Sequence, residues 1–119
     1  MSVVDLLAYQ KAYEFLVWQK TVVAHLAKVH KYSLGIKIEN ETLALLASIV
    51  RANMAPKAEK AHAITECLVS IEILSVLFRF GHDLRESGGI STRHYAVASD
   101  RLTTLGNVCG AWLKKFQIC

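Results

Sequence analysis

The sequence predicts an all-α protein, an antiparallel up-down-up-down four-helix bundle that forms a single domain over residues 1–119. Apolar residues recur at steps of three and four along four segments, which is the spacing of one face of a helix. No sustained alternation of apolar and polar residues flanks a turn pair, so strands are not predicted. The connections between the four segments are only a few residues long, which favours antiparallel neighbours.

The first two helices are predicted at residues 3–30 and 34–54. Only Gln19 interrupts the apolar face of the first helix. Ser33 is the expected N-cap of the second, because its hydroxyl can accept a hydrogen bond from a free N–H of the first turn. The expected core face of the first helix consists of Ala12, Phe15, Leu16, Val22, Val23, Leu26 and Val29. The wider apolar arc of the second consists of Ile36, Ile38, Leu43, Leu45, Leu46, Ile49 and Val50.

The third and fourth helices are predicted at residues 56–84 and 90–116. Pro56 suits a first helical turn, where its missing N–H costs nothing. The Ser-Gly-Gly sequence at residues 87–89 ends the third helix, and Ser91 or Thr92 caps the fourth. The apolar row of the fourth helix consists of Tyr95, Ala98, Leu102, Leu105, Cys109, Trp112 and Phe116.

Two glycines interrupt the fourth helix. Gly106 and Gly110 each cost about 1 kcal/mol relative to alanine inside a helix. Their spacing of four residues places them on one side, where they would open a groove. We therefore expect another helix to approach closely there.

The third helix carries two apolar faces that point in nearly opposite directions. One face consists of Ile64, Cys67 or Leu68, Ile71, Leu74 and Phe78. The other consists of Val69, Ile73, Val76 and Phe80. A helix in a small bundle needs only one apolar face, so the second predicts an interface with another copy of the chain. The alternative is a central third helix that is buried all round. Trp18, at the edge of the first helix's apolar face, is a further interface candidate or a residue of the core margin.

Positive charge is concentrated in the two terminal segments. The formal net charge is +4, and residues 1–32 and 90–119 together carry eight basic side chains against three carboxylates. In an up-down bundle these two segments lie side by side, and such a strip attracts polyanions such as RNA. The alternative is that these lysine and arginine side chains only keep the helix surfaces in contact with water and bind nothing. The candidate binding residues are Lys11, Lys20, Lys28, Lys31, Arg93, Arg101, Lys114 and Lys115.

The sequence contains no motif that is typical of catalysis, metal binding or phosphate binding. There is no CxxC, HExxH or Cys/His cluster at metal-ligand spacing, and no phosphate-binding glycine loop. We therefore expect no catalytic residues, metal, cofactor or small-molecule substrate. The three cysteines are odd in number and far apart, which favours a reducing compartment. No signal peptide or membrane span is predicted, so the expected location is the cytoplasm.

Four segments resemble one known family. They are SLGIKIEN at residues 33–40 with the helix that follows, ILSVLFR at residues 73–79, YAVAS at residues 95–99 and LGNVCGAWLK at residues 105–114. Over about residues 32–116 the chain is similar to the accessory variability determinant (Avd) proteins of diversity-generating retroelements. These are close to the bundle proteins encoded in bacterial 23S rRNA intervening sequences. The family usually has a proline in its basic connection between helices 1 and 2, whereas residues 27–32 here contain none.

The resemblance implies a non-catalytic accessory protein. Avd proteins form homopentamers with a basic surface, and they bind the retroelement's reverse transcriptase and its template RNA to support mutagenic cDNA synthesis. The alternative is an intervening-sequence-type oligomer that binds protein or RNA without a reverse transcriptase. A helical ribonuclease is a more distant alternative, since the Arg-His pattern of one such class is missing.

Overall fold

Four long helices make up most of the protein. A computed structural model describes residues 3–117, with side-chain environments for residues 5–117. The helices are α1 (Val3–His25), α2 (Ile36–Met54), α3 (Lys57–Asp83) and α4 (Thr92–Lys114). Between α1 and α2 the chain forms a helical turn (Lys28–His30) and a π-helical turn (Lys31–Gly35), and a 3₁₀ turn (Arg85–Ser87) follows α3. The described part of the chain contains no strand, so the predicted all-α class is confirmed.

Each helix packs against the next one in the chain, and α4 also packs against α1. Near the end of α1, Lys20 forms an ion pair with Glu39 in the first turn of α2. The ammonium group of Lys60, near the start of α3, donates a hydrogen bond of 2.7 Å to the carbonyl oxygen of Ala52 near the end of α2. Such contacts join the end of one helix to the start of the next.

The core forms along one row of each helix, as the spacing predicts. The row of α4 from Ala98 to Trp112 is buried, and Tyr95 and Phe116 pack against it while partly exposed. The largest fully buried side chain is Trp112. The predicted row of the fourth helix is thus confirmed.

The structure decides which apolar face of α3 joins the core. Ile64, Cys67, Ile71, Leu74 and Phe78 are buried. The opposite face is open, because between 41% and 60% of each of its apolar side chains is exposed. We call this the outer apolar face; it consists of Val69, Ile73, Val76 and Phe80. The alternative of a helix buried all round is therefore wrong for the single chain.

This second face also makes α3 unusually apolar. Among the described residues, α3 is the one helix long and apolar enough to cross a membrane. One third of its most apolar window is buried inside the protein. A core helix with an additional apolar face has the same composition.

The first helix ends earlier than predicted. It ends at His25 rather than residue 30, because Ala27 is extended (ψ 151°) and its N–H donates a 2.8 Å hydrogen bond to the carbonyl oxygen of Gly88. After this bend Val29 no longer faces the core and is 71% exposed. Ser33 is not an N-cap: it lies in the π-helical turn, and its hydroxyl donates to the carbonyl oxygen of Val29 at 3.1 Å.

The apolar arc predicted for the second helix is only partly buried. Ile38, Leu45 and Ile49 belong to the core, whereas Ile36 and Leu43 are nearly half exposed. An arc that wide exceeds what two neighbouring helices can cover. The outer part of this arc therefore faces away from the core.

A glycine turn joins α3 to α4. Gly88 adopts a left-handed conformation (φ 89°), which favours glycine. At Gly89 a Cβ atom would collide with the carbonyl oxygen of Gly81. The hydroxyl of Ser91 then accepts a hydrogen bond of 3.1 Å from the N–H of His94, so the predicted N-cap of the fourth helix is confirmed.

Within the single chain, the expectation that another helix approaches the glycines of α4 is wrong. A Cβ atom added at Gly106 or Gly110 would meet no heavy atom within 4 Å among the described residues, beyond its own chain neighbours and helix backbone. No helix of the same chain approaches there, since both residues lie beside the buried row and not within it.

We predict opposite effects for two substitutions in α4. Trp112→Ala empties the largest core site and should lower the free energy of unfolding by about 3–5 kcal/mol. Gly110→Ala adds a methyl group in open space and should raise it by up to about 1 kcal/mol, because alanine favours the helix. Urea unfolding followed by circular dichroism measures both. A destabilised Gly110→Ala protein would show that this side is covered.

Candidate functional site

Four of the five histidines lie at one end of the protein. His25 ends α1, His30 lies in the turn after it, His82 lies in the last turn of α3 and His94 lies in the first turn of α4. The rings of His25 and His94 are in edge contact, with their centroids 5.4 Å apart. We call this region the histidine end. The sequence analysis missed it, because no two of these residues have a meaningful spacing along the chain.

The other two histidines hold the turns of this end together. The Nε2 atom of His30 shares a hydrogen bond of 3.0 Å with the hydroxyl of Ser87. His82 stacks on Tyr95, with ring centroids 4.6 Å apart, and its Nε2 atom shares a 3.1 Å hydrogen bond with the hydroxyl of Thr92. These contacts fix the end of α3 against both neighbouring turns.

Three of the predicted cations lie at the histidine end. Lys28 and Lys31 follow the end of α1, and Arg93 precedes His94, which contacts His25. The sequence analysis did not single out Arg85, whose guanidinium donates a 3.0 Å hydrogen bond to the carbonyl oxygen of His82. These four cations lie beside two carboxylates of the same turn region, those of Asp83 and Glu86. The region is therefore basic even while its histidines are neutral.

The electrostatics of this end disfavour a further positive charge. Partial burial lowers the pKa of His94, and the neighbouring His25 and Arg93 lower it further. A bound anion would offset this repulsion and would favour the protonated imidazole. The excess of positive charge at this end attracts anions.

Two predicted cations lie further along the flank between α1 and α4. Lys11 is 3.9 Å from Glu14, and it lines a shallow depression together with Asp100, Arg101 and Thr104. Positive and negative charges balance there. The predicted strip is therefore not continuous along the two terminal helices.

The remaining predicted cations do not belong to the group of Lys28, Lys31 and Arg93. Lys20 is paired with Glu39, and this hydrogen-bonded contact lowers the pKa of the Glu39 carboxyl group. Lys114 and Lys115 are exposed at the end of α4. That is the opposite end of the protein, since Phe116 lies beside Lys60 of α3.

Trp18 lies between the core and a surface groove. Its ring stacks on Phe78 at a centroid distance of 6.2 Å, and the guanidinium carbon of Arg101 lies 5.2 Å from the ring centre. Because Phe78 belongs to the buried face of α3, Trp18 lies on a different surface from the outer apolar face. The groove beside it measures about 520 Å³. We call it the Trp18 groove; it is lined by Tyr13, Glu14, Val17, Trp18, Thr21 and Arg101.

The outer apolar face continues into a cavity at the first turn region. This cavity of about 380 Å³ is lined largely by apolar side chains, including Val29, Leu34, Leu77 and Phe80. Sequence reasoning missed the contribution of Val29, because the bend after α1 turns this residue out of the core. The exposed apolar surface is therefore larger than one helix face.

The described cysteines are packed in the core. Cys67 and Cys109 are both buried free thiols, and burial raises their pKa to about 12 and about 11. Both are therefore protonated at neutral pH and behave as small hydrophobic side chains. Cys119 lies outside the described residues. Within residues 3–117, no three side chains of His, Cys, Asp or Glu are grouped so as to hold a metal ion.

We predict a pH-dependent contribution of His94 to stability. Its pKa is below the ordinary value of 6.5 in the folded protein, so the unfolded chain binds more protons between the two values. Stability should therefore fall as the pH drops below about 6.5. His94→Gln should reduce this loss. The loss of stability is measured as the difference between the melting temperatures at neutral and at mildly acidic pH. His62→Gln is the control. Equal losses of stability in the two variants would contradict the role of His94.

Comparison with known proteins gives a family. A family model described as bAvd-like matches residues 6–116, which is most of the chain. No curated protein and no solved structure matches the chain. The resemblance seen in the sequence is thus confirmed, and the chain belongs to the bAvd-like family.

Proposed function

We propose that this protein is a cytoplasmic, non-catalytic accessory protein of a diversity-generating retroelement, which binds reverse transcriptase and template RNA and supports mutagenic cDNA synthesis. Family membership supports the accessory role. The observation that carries RNA binding is the meeting of Lys28, Lys31 and Arg93 with four histidines at one end. Reverse transcriptase and RNA are partners proposed from the resemblance and from this charge.

We infer that the four helices run up-down-up-down as an antiparallel bundle. The pairs Lys20–Glu39 and Ala52–Lys60 join the end of one helix to the start of the next. The ring contact of His25 with His94 joins the end of α1 to the start of α4. Short turns leave no room for a helix to return in parallel.

We propose a homo-oligomer that forms through the outer apolar face. Four apolar side chains with 41–60% exposure on one face of α3 are typical of a surface that another chain covers. The adjacent cavity lined by Leu77 and Phe80 enlarges this surface. Five subunits are proposed from the family resemblance alone. Trp18, our other interface candidate, lies against the core and would contribute only if a second contact formed at its groove.

We predict that charges on the outer apolar face break the oligomer. The double variant Ile73→Glu, Phe80→Glu should give smaller species and keep its helical content, because neither side chain is buried in the single chain. Size-exclusion chromatography with light scattering measures the mass, and circular dichroism measures the helicity. Leu6→Glu with Val17→Glu is the matched control, since both are similarly exposed on α1. A monomeric unmodified protein would contradict the proposal.

RNA bound at the histidine end would be held mainly through its phosphates. Lysine and arginine contacts to phosphates do not distinguish one base from another, so the affinity should depend weakly on the RNA sequence. Each neutralised phosphate releases counterions, so the affinity should fall steeply with salt concentration.

We predict that charge reversal at the histidine end abolishes RNA binding. Lys28→Glu, Lys31→Glu and Arg93→Glu together should eliminate binding at low salt and leave the oligomer intact, since none lies on the outer apolar face. The matched control reverses the same number of charges at the opposite end, in Lys57, Lys114 and Lys115. Filter binding measures both. Equal losses would indicate a diffuse charge effect, and unchanged binding in the first variant would refute this site.

Binding of the reverse transcriptase is tested separately from binding of RNA. We expect co-purification with a reverse transcriptase encoded beside paired template and variable repeats. Retained RNA binding without any such partner would favour the intervening-sequence type of interaction module. Cleavage of RNA by the purified protein would contradict a non-catalytic role.

A further inference from the structure

We propose that the Trp18 groove holds an unpaired base of single-stranded RNA. This inference rests on the proposed RNA binding and adds a subsite to it. The groove is an open surface depression of about 520 Å³ beside Trp18. A single planar base is an occupant of suitable size and shape.

The walls of the groove combine flat apolar surface with a cation. Tyr13 is half exposed, and Trp18 is partly buried and fixed against Phe78. Bases stack on such rings regardless of sequence, because every base has an aromatic face. The guanidinium of Arg101 lies 5.2 Å from the Trp18 ring centre, where it can stack on a base or contact its phosphate.

Charge in and beside the groove is balanced. Glu14 also lines the groove, and Lys11 lies 3.9 Å from its carboxylate and offsets its charge. Asp100 in the adjoining depression offsets the charge of Arg101. The hydroxyl of Thr21 and the carboxylate of Glu14 provide polar groups for the edge of a base.

The groove is continuous with the histidine end. The ring of Trp18 lies 6.2 Å from that of His94, which lies 5.4 Å from that of His25. A line of ring contacts therefore connects the groove to His94 and His25 at the histidine end. A strand with its phosphates at the histidine end can place the next bases in the groove. This continuity favours a nucleic acid over a second protein chain as the occupant.

A base in the groove must be unstacked from its neighbours and free of a complementary strand. Single-stranded RNA can present such bases, whereas a duplex presents mainly phosphates and 2′-hydroxyls. The protein should therefore bind single-stranded RNA more tightly than a duplex of the same sequence. The excess affinity should depend on Tyr13 and Trp18, and not on the cations alone.

Tryptophan fluorescence tests this inference directly. Trp112 is fully buried, so the variant Trp112→Phe leaves Trp18 as the reporter and keeps an aromatic ring in the core. An unstructured single-stranded RNA should quench this emission, and the same strand annealed to its complement should quench it much less. Circular dichroism checks that the variant is folded. If Trp112→Phe does not fold, the affinities described next decide the question in the unmodified background.

Affinity measurements with matched tyrosine variants complete the test. Tyr13→Ala should weaken single-stranded RNA binding about ten-fold, with little effect on the duplex. Tyr13→Phe keeps the ring and should bind normally. Met54→Ala is the control, because Met54 is exposed at the end of α2, away from both the groove and the histidine end.

The outcomes separate this inference from the proposed function. If single-stranded RNA binds through Lys28, Lys31 and Arg93 but Tyr13→Ala changes nothing, the groove subsite is refuted and RNA binding stands. Failure of both RNA forms to bind would refute the proposed RNA binding itself. Trp18 emission that changes with protein concentration and not with RNA would show that a second copy covers the groove, which also overturns this inference.

Discussion

The arrangement of the candidate site depends on one contact between two turns. The N–H of Ala27 donates a 2.8 Å hydrogen bond to the carbonyl oxygen of Gly88, so the turn after α1 is held against the turn after α3. The left-handed Gly88 presents its carbonyl there, and Gly89 allows the close return of the chain onto Gly81. A larger residue at position 88 would separate these turns, because its Cβ atom would collide with Ala27. The histidine end would then lose the contact that assembles it.

The second constraint is the double role of α3. One face fills the core with Ile71, Leu74 and Phe78, and this burial stabilises the single chain. The outer apolar face leaves Ile73 and Phe80 in contact with water, so burial of this face against another chain would be favourable. The two faces are separate, so charged substitutions on the outer one can test assembly without removing the core. The proposed oligomer contact approaches the histidine end at the cavity that Phe80 shares with Val29 and His30.

The candidate RNA site combines charge with aromatic surface. In the proposed complex, Lys28 and Arg93 would supply an attraction that salt screens, whereas Tyr13 and Trp18 would supply stacking that is less sensitive to salt. His94 lies between these two parts, and partial burial lowers its pKa, with a further contribution from neighbouring positive charge. Binding of an anion would relieve this repulsion, so RNA binding and proton uptake at His94 should favour each other.

The sequence by itself determined the all-α class, the four helices and the rows that enter the core, because the 3.6-residue period fixes which side chains share a face. It also identified the family and the cations Lys28, Lys31 and Arg93. It could not determine the end of α1, since the bend at Ala27 depends on Gly88, which is 61 residues further along the chain. For the same reason the sequence did not predict that four histidines meet at one end. It also wrongly predicted a close helix of the same chain at Gly106 and Gly110. Helical spacing describes one helix at a time, and only the tertiary packing decided which face of α3 is covered and which side chains meet.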